Sequence, residues 1–383
     1  MSVPVPLVLV TTSFPVRGDG SEAAGSFVSD LAQEAGRHTS VRVVAPGPQA
    51  IREAWSPSVE IFRYAAPSKP LSTLKPWNPA DLRWLVRVLQ GGAAATRQAA
   101  GDGESHIVAL WGLPCGEWAR RAARLTGNGY SVWLLGSDVW SLGRVPILRA
   151  LLGRVIRDAK CAYADGYALA DDAQRIARVP VEFLPSTRKI ERLPAVTPAP
   201  REKPPYRLLF LGRWHTNKGI DLLLDALTLL EDQDWRRIEC VEIQGGGPME
   251  GQVRARIAEL QAFGHPVVLG NFLSKPEAEA AIVRSDWLVI PSRIESIPVV
   301  FSDAMKLGRP VVATPVGDLP RLLSTHKCGV LTSDCNPSSI ARALADALST
   351  SAQAYGDAVA AAAEPFSLSL IVERLLRTAG RES

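Results

Sequence analysis

Two hydrophobic patterns alternate along this chain of 383 residues. Short runs of aliphatic and β-branched residues, typical of buried strands, are separated by longer segments whose apolar residues recur every three or four positions, as in amphipathic helices. The pattern predicts nine strands, with the sequences PLVLVTTSF, SVRVVAP, HIVALW, YSVWLLG, YRLLFLG, IECVEIQG, PVVLGNF, WLVIPS and PVVATPVG. Because helical segments separate most of these strands, we predict an α/β fold with parallel, doubly wound sheets.

A proline-rich segment, LPAVTPAPREKPP at residues 193–205, interrupts the alternation near the middle of the chain. Its prolines are incompatible with a continued helix or a central strand, and the strand–helix alternation restarts directly after it. We therefore predict two Rossmann-like domains, residues 1–195 and 196–383, because the chain is also too long for one core. Ligands of open parallel sheets bind at the carboxyl ends of strands, so functional residues are expected in the loops that follow strands.

Composition narrows the class of protein. With 46% hydrophobic and 21% charged residues, the chain reads as a soluble globular protein. It contains no run of about eighteen apolar residues that would predict a membrane-spanning helix, and its start, MSVPVPLVLVTTSFP, lacks the basic region of a signal peptide. Its five cysteines form no Cys-x-x-Cys pair and its five histidines are scattered. We therefore expect a reduced, cytoplasmic protein without a metal site.

The net charge of +4 is unevenly distributed. Residues 1–195 contain 23 Lys and Arg against 17 Asp and Glu, whereas the remainder contains 20 against 22. Much of the excess lies in a predicted helix, SLGRVPILRALLGRVIRDAK, which carries Arg149, Arg154 and Arg157. The helix is either an ordinary amphipathic surface helix or a patch for anionic lipid headgroups or a phosphate-bearing substrate. Nucleic acid is not expected, because no known reader motif or aromatic-interleaved basic stretch is present.

The first strand after the linker leads into a loop with two cations. In YRLLFLGRWHTNKGIDLLLDAL the strand ends at Gly212, and Arg213 and Lys218 precede an amphipathic helix. Arginine presents a planar fork to phosphate oxygens, lysine presents a compact charge, and a helix N-terminus favours an anion. The loop therefore suits a diphosphate group. The alternative is a pair of solvated surface cations.

Two carboxylates, Glu295 and Asp303, lie at the ends of the apolar segment ESIPVVFSD. Part of this segment is a predicted helix with Pro298 near its first turn. Eight helical residues rise roughly 12 Å, which suits two acids that hold different hydroxyls of an extended ligand. A glycosidase pair would be about 5–10 Å apart. The alternative is a solvated loop acid followed by an acid on a helix surface.

Two loops in the first half of the chain also follow predicted strands. The first, TTSFPVRGDGSEAAGSF, is rich in small residues and places Gly25 near the start of a helix. The second, LLGSDVW, places Asp138 at the carboxyl end of its strand. Asp138 is a candidate ligand-side residue, and the alternative is a helix-capping or turn residue.

Jointly, these segments resemble the retaining, nucleotide-sugar-dependent glycosyltransferases of family four. GRWHTNKG is similar to the family's Gly-Arg-x4-Lys-Gly loop, QGGGPME to its Gly-x-Gly-Pro turn, and IESIPVVFSDAMKLGRPVVATPVG to its Glu-x7-Glu segment. All three occur in the family's order and roughly its spacing. The resemblance implies the GT-B fold, in which two Rossmann-like domains face a cleft and a C-terminal helix crosses back to the N-terminal domain.

The resemblance also implies roles for the candidate residues. Arg213 and Lys218 would bind the donor diphosphate and stabilise charge on the departing nucleotide, and Glu295 would hold the transferred sugar. Asp138 would lie on the acceptor side. The remaining donor-binding candidates are Gly25, Gly212, Ile297, Val299 and Asp303, of which Ile297 and Val299 would contribute backbone N–H groups toward the distal phosphate.

Three residues depart from the family pattern and change which roles are expected. Asp303, implied to hold the ribose, stands where the family usually has the longer glutamate. Leu110 and Leu135 occupy places where many relatives have histidine. A step assisted by histidine is therefore not expected.

The predicted activity is that of a metal-independent hexosyltransferase without a cofactor. It would move a sugar from a UDP- or GDP-sugar to a hydroxyl of a glycan or lipid-linked acceptor, in cell-surface polysaccharide or glycolipid synthesis. We expect a cytoplasmic protein, peripheral on the inner face of the cytoplasmic membrane, an expectation that rests on the basic N-terminal half together with the habit of the resembled family. The alternatives are a nucleotide-sugar epimerase, a phosphorylase, or a catalytically silent glycan-binding subunit.

Overall fold

The protein is described from a computed structural model over residues 5–16, 25–68, 74–75, 77–190 and 198–380. Residues 17–24 of the small-residue loop and residues 193–197 of the predicted linker lie outside this part of the chain. Two compact units are present, one formed by Met1–Lys189 with Ser367–Ser383 and the other by Ile190–Phe366. All nine predicted strands occur. Among the described residues, no helix is both long and apolar enough to cross a membrane.

The first unit contains a sheet whose described strands follow the order β3-β4-β2-β1-β5-β6-β7-β8. Its strands are β1 (Leu7–Val10), β2 (Val41–Gly47), β3 (Arg52–Ser56), β4 (Val59–Ala65), β5 (His106–Leu110), β6 (Gly129–Leu134), β7 (Cys161–Ala164) and β8 (Glu182–Phe183). Its first six helices are α1 (Ser26–Ala35), α2 (Pro79–Ala100), α3 (Glu117–Thr126), α4 (Ser137–Trp140), α5 (Pro146–Asp158) and α6 (Tyr167–Ala177). All neighbouring strands are parallel except the edge pair β3–β4. Every residue of the central strand β1 is buried, because apolar clusters cover both faces of the sheet.

The second unit contains a fully parallel sheet in the order β11-β10-β9-β12-β13-β14 over its described residues. Its strands are β9 (Tyr206–Arg213), β10 (Ile238–Gly246), β11 (Val267–Leu269), β12 (Trp287–Ile290), β13 (Val311–Ala313) and β14 (Gly329–Leu331). Its helices are α7 (Ile220–Leu227), α8 (Asp232–Trp235), α9 (Glu250–Ala262), α10 (Lys275–Arg284), α11 (Val299–Lys306), α12 (Leu319–His326), α13 (Pro337–Leu348) and α14 (Gly356–Ala363). The chain builds outward from β9 to β11 and then returns to β12 on the other side of β9. This reversal makes the carboxyl ends of β9 and β12 a topological switch point, where open sheets bind ligands.

The last helix, α15 (Leu368–Gly380), belongs to the first unit. The hydroxyls of Tyr163 and Thr378 lie 2.6 Å apart, and Arg374 donates to the carbonyl of Phe183 at 3.0 Å. The second unit therefore ends at Phe366, and the range 196–383 expected for the second domain is too long at its C-terminal end. The helix packs on the N-terminal unit because its apolar face, with Val372 and Leu375, is buried in that unit's core.

Candidate functional site

The loop between β9 and α7 brings its cations to the carboxyl edge of the second sheet. Arg213 is the last residue of β9 and is exposed. His215 Nδ1 then accepts from the N–H of Asn217 at 3.1 Å, which shapes the short turn that ends with Lys218. Gly219 has a φ of 67°, and a Cβ there would overlap the carbonyl oxygen of Pro291. Only glycine allows this loop to pack so closely against the loop after β12.

The loop after β12 places Glu295 beside Lys218. The Lys218 ammonium and the Glu295 carboxylate form an ion pair, with side chains 37% and 14% exposed. Ser292 orients the carboxylate by donating to Oε1 at 3.2 Å. Two candidates separated by 77 residues are therefore in direct contact.

Arg293 joins the same two loops, although the sequence patterns did not single it out. Its guanidinium donates to both carboxylate oxygens of Asp221, at 2.8 and 2.6 Å, and to the carbonyl of Thr216 at 2.7 Å. Burial alone would raise the pKa of Asp221, but the hydrogen bonds and charge of Arg293 outweigh burial and lower it. Arg293 lies two residues before Glu295 in the sequence, but only the fold shows that its partner is Asp221.

Helix α11 starts at this edge and then enters the interior. Pro298 precedes its first residue, Val299, so the first-turn N–H groups face the carboxyl edge near Ile297. Asp303 lies further along the helix, where it is 1% exposed and within 3.5 Å of the Lys306 ammonium. Glu295 is thus at the surface of the unit, whereas Asp303 lies beneath it.

Comparison with known proteins identifies this unit. Residues 205–350 match the family described as Glycosyl transferases group 1. The second unit carries a group 1 glycosyltransferase domain. The predicted resemblance to family-four glycosyltransferases is confirmed at the level of the family.

Two curated relatives are similar to parts of the chain. A D-inositol 3-phosphate glycosyltransferase of Jonesia denitrificans is 33% identical over 146 residues, or 37% of this chain and 34% of the relative. The putative colanic acid biosynthesis glycosyltransferase WcaL of Escherichia coli is 30% identical over 174 residues, or 43% of this chain and 41% of the relative. The matched stretches thus span well under half the length of these relatives.

Solved structures are similar in fold to nearly the whole chain. Anabaena HepE in complex with UDP gives a TM-score of 0.65 at 18% identity over 98% of this chain and 99% of that one. Its complex with UDP-glucose gives 0.62 at 16% identity over the same shares. The predicted fold class, with two Rossmann-like units, is confirmed.

In the first unit, Gly25 and Asp138 each lie at a tight turn of the backbone. Gly25 precedes α1 with a φ of 74°, and a Cβ there would lie 2.6 Å from the carbonyl oxygen of Ser13. The Asp138 carboxylate is buried and accepts from the N–H groups of Gly112, Gly136 and Val139 at 2.6, 3.1 and 3.1 Å. Burial raises the pKa of Asp138, although these backbone hydrogen bonds oppose the rise.

Asp138 therefore joins the loops after β5 and β6. Gly112 follows Trp111, whose φ of 77° is unusual for a residue with a side chain. The contacts of Asp138 are those of a turn residue, the alternative left open by the sequence, and its acceptor-side role stays a prediction.

The basic helix α5 is present as predicted, and Arg149, Arg154 and Arg157 are exposed along it. At its start, Ile147 is 81% exposed. Helix α5 thus carries three exposed cations and an exposed apolar side chain.

Proposed function

We propose that the chain is a retaining glycosyltransferase that moves a hexosyl group from a nucleotide diphosphate sugar to a hydroxyl of a glycan or lipid-linked acceptor. The observation that supports this most directly is the contact between Lys218 and Glu295, in the loops beside the exposed Arg213. Two cations suit the anionic diphosphate, and an adjacent carboxylate suits the hydroxyls of a sugar. The topological switch point of the sheet is also where such a ligand is expected.

The proposed reaction breaks the bond between the anomeric carbon and the oxygen of the distal phosphate. A new bond forms from that carbon to the acceptor oxygen, and the acceptor's proton passes to the leaving phosphate on the same face. Negative charge develops on the diphosphate, where Arg213, Lys218 and the N–H groups at the start of α11 would stabilise it. The scheme requires no metal or cofactor, because these groups supply the positive charge.

UDP-sugars are the donor class to test first. HepE, which is similar in fold, has been solved in complex with UDP and with UDP-glucose. GDP-sugars are the second class, because nothing in the diphosphate contacts distinguishes the two bases.

A thermal-shift series tests the donor site. UDP, GDP, ADP and their common sugar conjugates are each added to the wild-type protein and to Lys218→Ala. A ligand at 100 times its Kd stabilises the folded protein by about 2.7 kcal/mol. We expect one nucleotide class to raise the unfolding midpoint of the wild type, and the variant to lose most of that shift. If no nucleotide shifts the wild type, the proposed function is wrong.

The acceptor is proposed to belong to cell-surface polysaccharide or glycolipid synthesis at the inner face of the cytoplasmic membrane. One relative, WcaL, is named for colanic acid biosynthesis. Helix α5 supports a membrane-proximal acceptor, because its exposed arginines and Ile147 combine charge with an apolar side chain.

Vesicle flotation tests the membrane part. We expect the protein to float at low salt with vesicles of phosphatidylglycerol and phosphatidylcholine, and to stay behind with phosphatidylcholine alone. Changing the three α5 arginines to glutamine should abolish flotation. The matched control changes three exposed arginines of the second unit, Arg236, Arg254 and Arg342. Equal flotation of both variants would contradict a role for α5.

A further inference from the structure

We propose that Arg293 is a positioning residue, which fixes the spacing between the Lys218 loop and the Glu295 loop by binding Asp221. The inference rests on the proposed function, in which Lys218 binds the donor diphosphate and Glu295 binds the transferred sugar. Arg293 itself would contact neither group. Its effect would be to keep the two binding side chains at the separation that one donor molecule requires.

The contacts of Arg293 reach three parts of the Lys218 loop. The side chain binds the carbonyl of Thr216 at 2.7 Å, and the backbone N–H donates to the carbonyl of Asn217 at 2.8 Å. Both carboxylate oxygens of Asp221, in the first turn of α7, accept from the guanidinium. These bonds bracket Lys218 on both sides along the chain.

Glu295 lies only two residues beyond Arg293, so the same contacts also restrain its loop. The Arg293 and Asp221 side chains are 30% and 19% exposed, and each lies largely within the protein. An isolated surface ion pair contributes little to stability, because water screens it and its side chains are mobile. An arginine that donates two hydrogen bonds to a carboxylate and a third to a carbonyl instead has one favoured geometry. It therefore fixes the orientation of one loop relative to the other.

The contact also depends on arginine in particular. Lysine has the same charge, but its three donors diverge from one nitrogen, so it cannot present the planar pair of N–H groups that matches a carboxylate. Arg293→Lys should therefore keep the local charge and loosen the geometry. Asp221→Asn removes the charge of the partner and leaves the arginine in place.

Two ligands separate a positioning role from a structural one. UDP would contact the nucleoside and diphosphate sites but not Glu295, whereas UDP-glucose would also reach Glu295. If Arg293 sets the spacing between the loops, its loss should weaken the binding of UDP-glucose more than the binding of UDP. A residue that only stabilises the unit would weaken both ligands by the same factor.

The experiment is calorimetric titration of the full chain with UDP and with UDP-glucose. We expect Arg293→Lys, Arg293→Gln and Asp221→Asn each to lower the affinity for UDP-glucose about tenfold, which corresponds to the loss of one charge-assisted hydrogen bond. The affinity for UDP should fall roughly twofold or less. The double variant Asp221→Asn with Arg293→Gln should be no worse than the worse single variant, because both changes remove one contact.

Arg256 provides the matched control. It pairs with Asp225 at 2.6 Å in the same unit and joins α9 to α7 away from the candidate site. The Arg256 side chain is 35% exposed, close to the 30% of Arg293, and Asp225 is more exposed than Asp221. Arg256→Gln should leave both affinities unchanged. Unfolding midpoints measured without ligand identify any variant that fails to fold.

The results that overturn the proposal are distinct from failure of the proposed function. If the wild type binds both ligands and the Arg293 and Asp221 variants keep the wild-type ratio of the two affinities, only the positioning role is wrong. Loss of folding in all of these variants would show a structural role and overturn it as well. If the wild type binds neither UDP nor UDP-glucose, the UDP-sugar assignment and the positioning role fail together.

Discussion

Burial separates the two carboxylates of the Glu-x7-Asp segment. Glu295 is partly exposed and contacts Lys218, whereas Asp303 is almost fully buried near Lys306. A ribose contact by Asp303 would therefore require a ligand that reaches below the surface of the unit. The predicted role of Glu295 needs no such penetration.

A buried histidine outside the candidate site makes the first unit sensitive to pH. His106 is the first residue of β5, and its Nε2 lies 2.9 Å from the hydroxyl of Ser131 in β6. Burial, and then the charge of Lys160, lower the pKa of His106 to about 4. An unfolded histidine has a pKa of about 6.5, so below that pH the unfolded chain takes up a proton that the folded chain does not.

We therefore expect the first unit to lose stability as the pH falls from about 6.5 towards 4, by up to about 3 kcal/mol. His106→Gln should remove this part of the pH dependence. Urea unfolding of the wild type and the variant at the two ends of that range measures the difference. Equal losses in both proteins would contradict the assignment.

Strand predictions succeeded where a strand carries a run of aliphatic residues and failed where it does not. The hairpin β3–β4 was missed because charged residues are interspersed through Arg52–Ala65, as suits an edge exposed on one side. Strands β7, β8 and β14, with the sequences CAYA, EF and GVL, were missed because none contains a run of β-branched residues. Strands β11 and β13 are equally short but begin with two valines. The buried central strands give continuous apolar runs that are easily recognised.

The contact between the loops after β9 and β12 predicts a strong effect of a single methyl group. Gly219→Ala would combine a positive φ with an overlap against Pro291. A left-handed conformation usually costs a residue with a side chain about 1–2 kcal/mol, and we expect the loss of stability to be well beyond that. UDP binding should weaken as well, because Lys218 precedes the displaced backbone. Thermal unfolding and titration with UDP measure the two effects.

Gly308 is the control for this prediction. Its φ of 73° is close to that of Gly219, but a Cβ there would meet nothing within 4 Å. Gly308→Ala should therefore show the conformational penalty alone and leave UDP binding unchanged. If the two variants behave alike, the overlap with Pro291 has no consequence.

The chain is continuous from the second unit into α15, yet this helix completes the core of the first. Leu375 is buried there together with residues of β1 and β2. We expect Leu375→Ala to destabilise the first unit by about 2–5 kcal/mol, the usual range for a buried leucine. Hydrogen exchange should report lost protection in β1 and β2. Leu370→Ala, on the same helix at a 44% exposed position, should change stability by about 0.5 kcal/mol or less.

The α/β class, the central strands and the loop residues Arg213, Lys218 and Glu295 can all be predicted from local patterns. Periodicity and short motifs are properties of neighbouring residues, so one sequence is enough to recognise them. The partnership of Arg293 with Asp221, the inward orientation of Asp138 and the depth of Asp303 could not be predicted in this way. Each depends on how elements distant in sequence pack together. Strands β9 and β12 are neighbours only because the chain, after adding β10 and β11 on one side of β9, returns to add β12 on the other side.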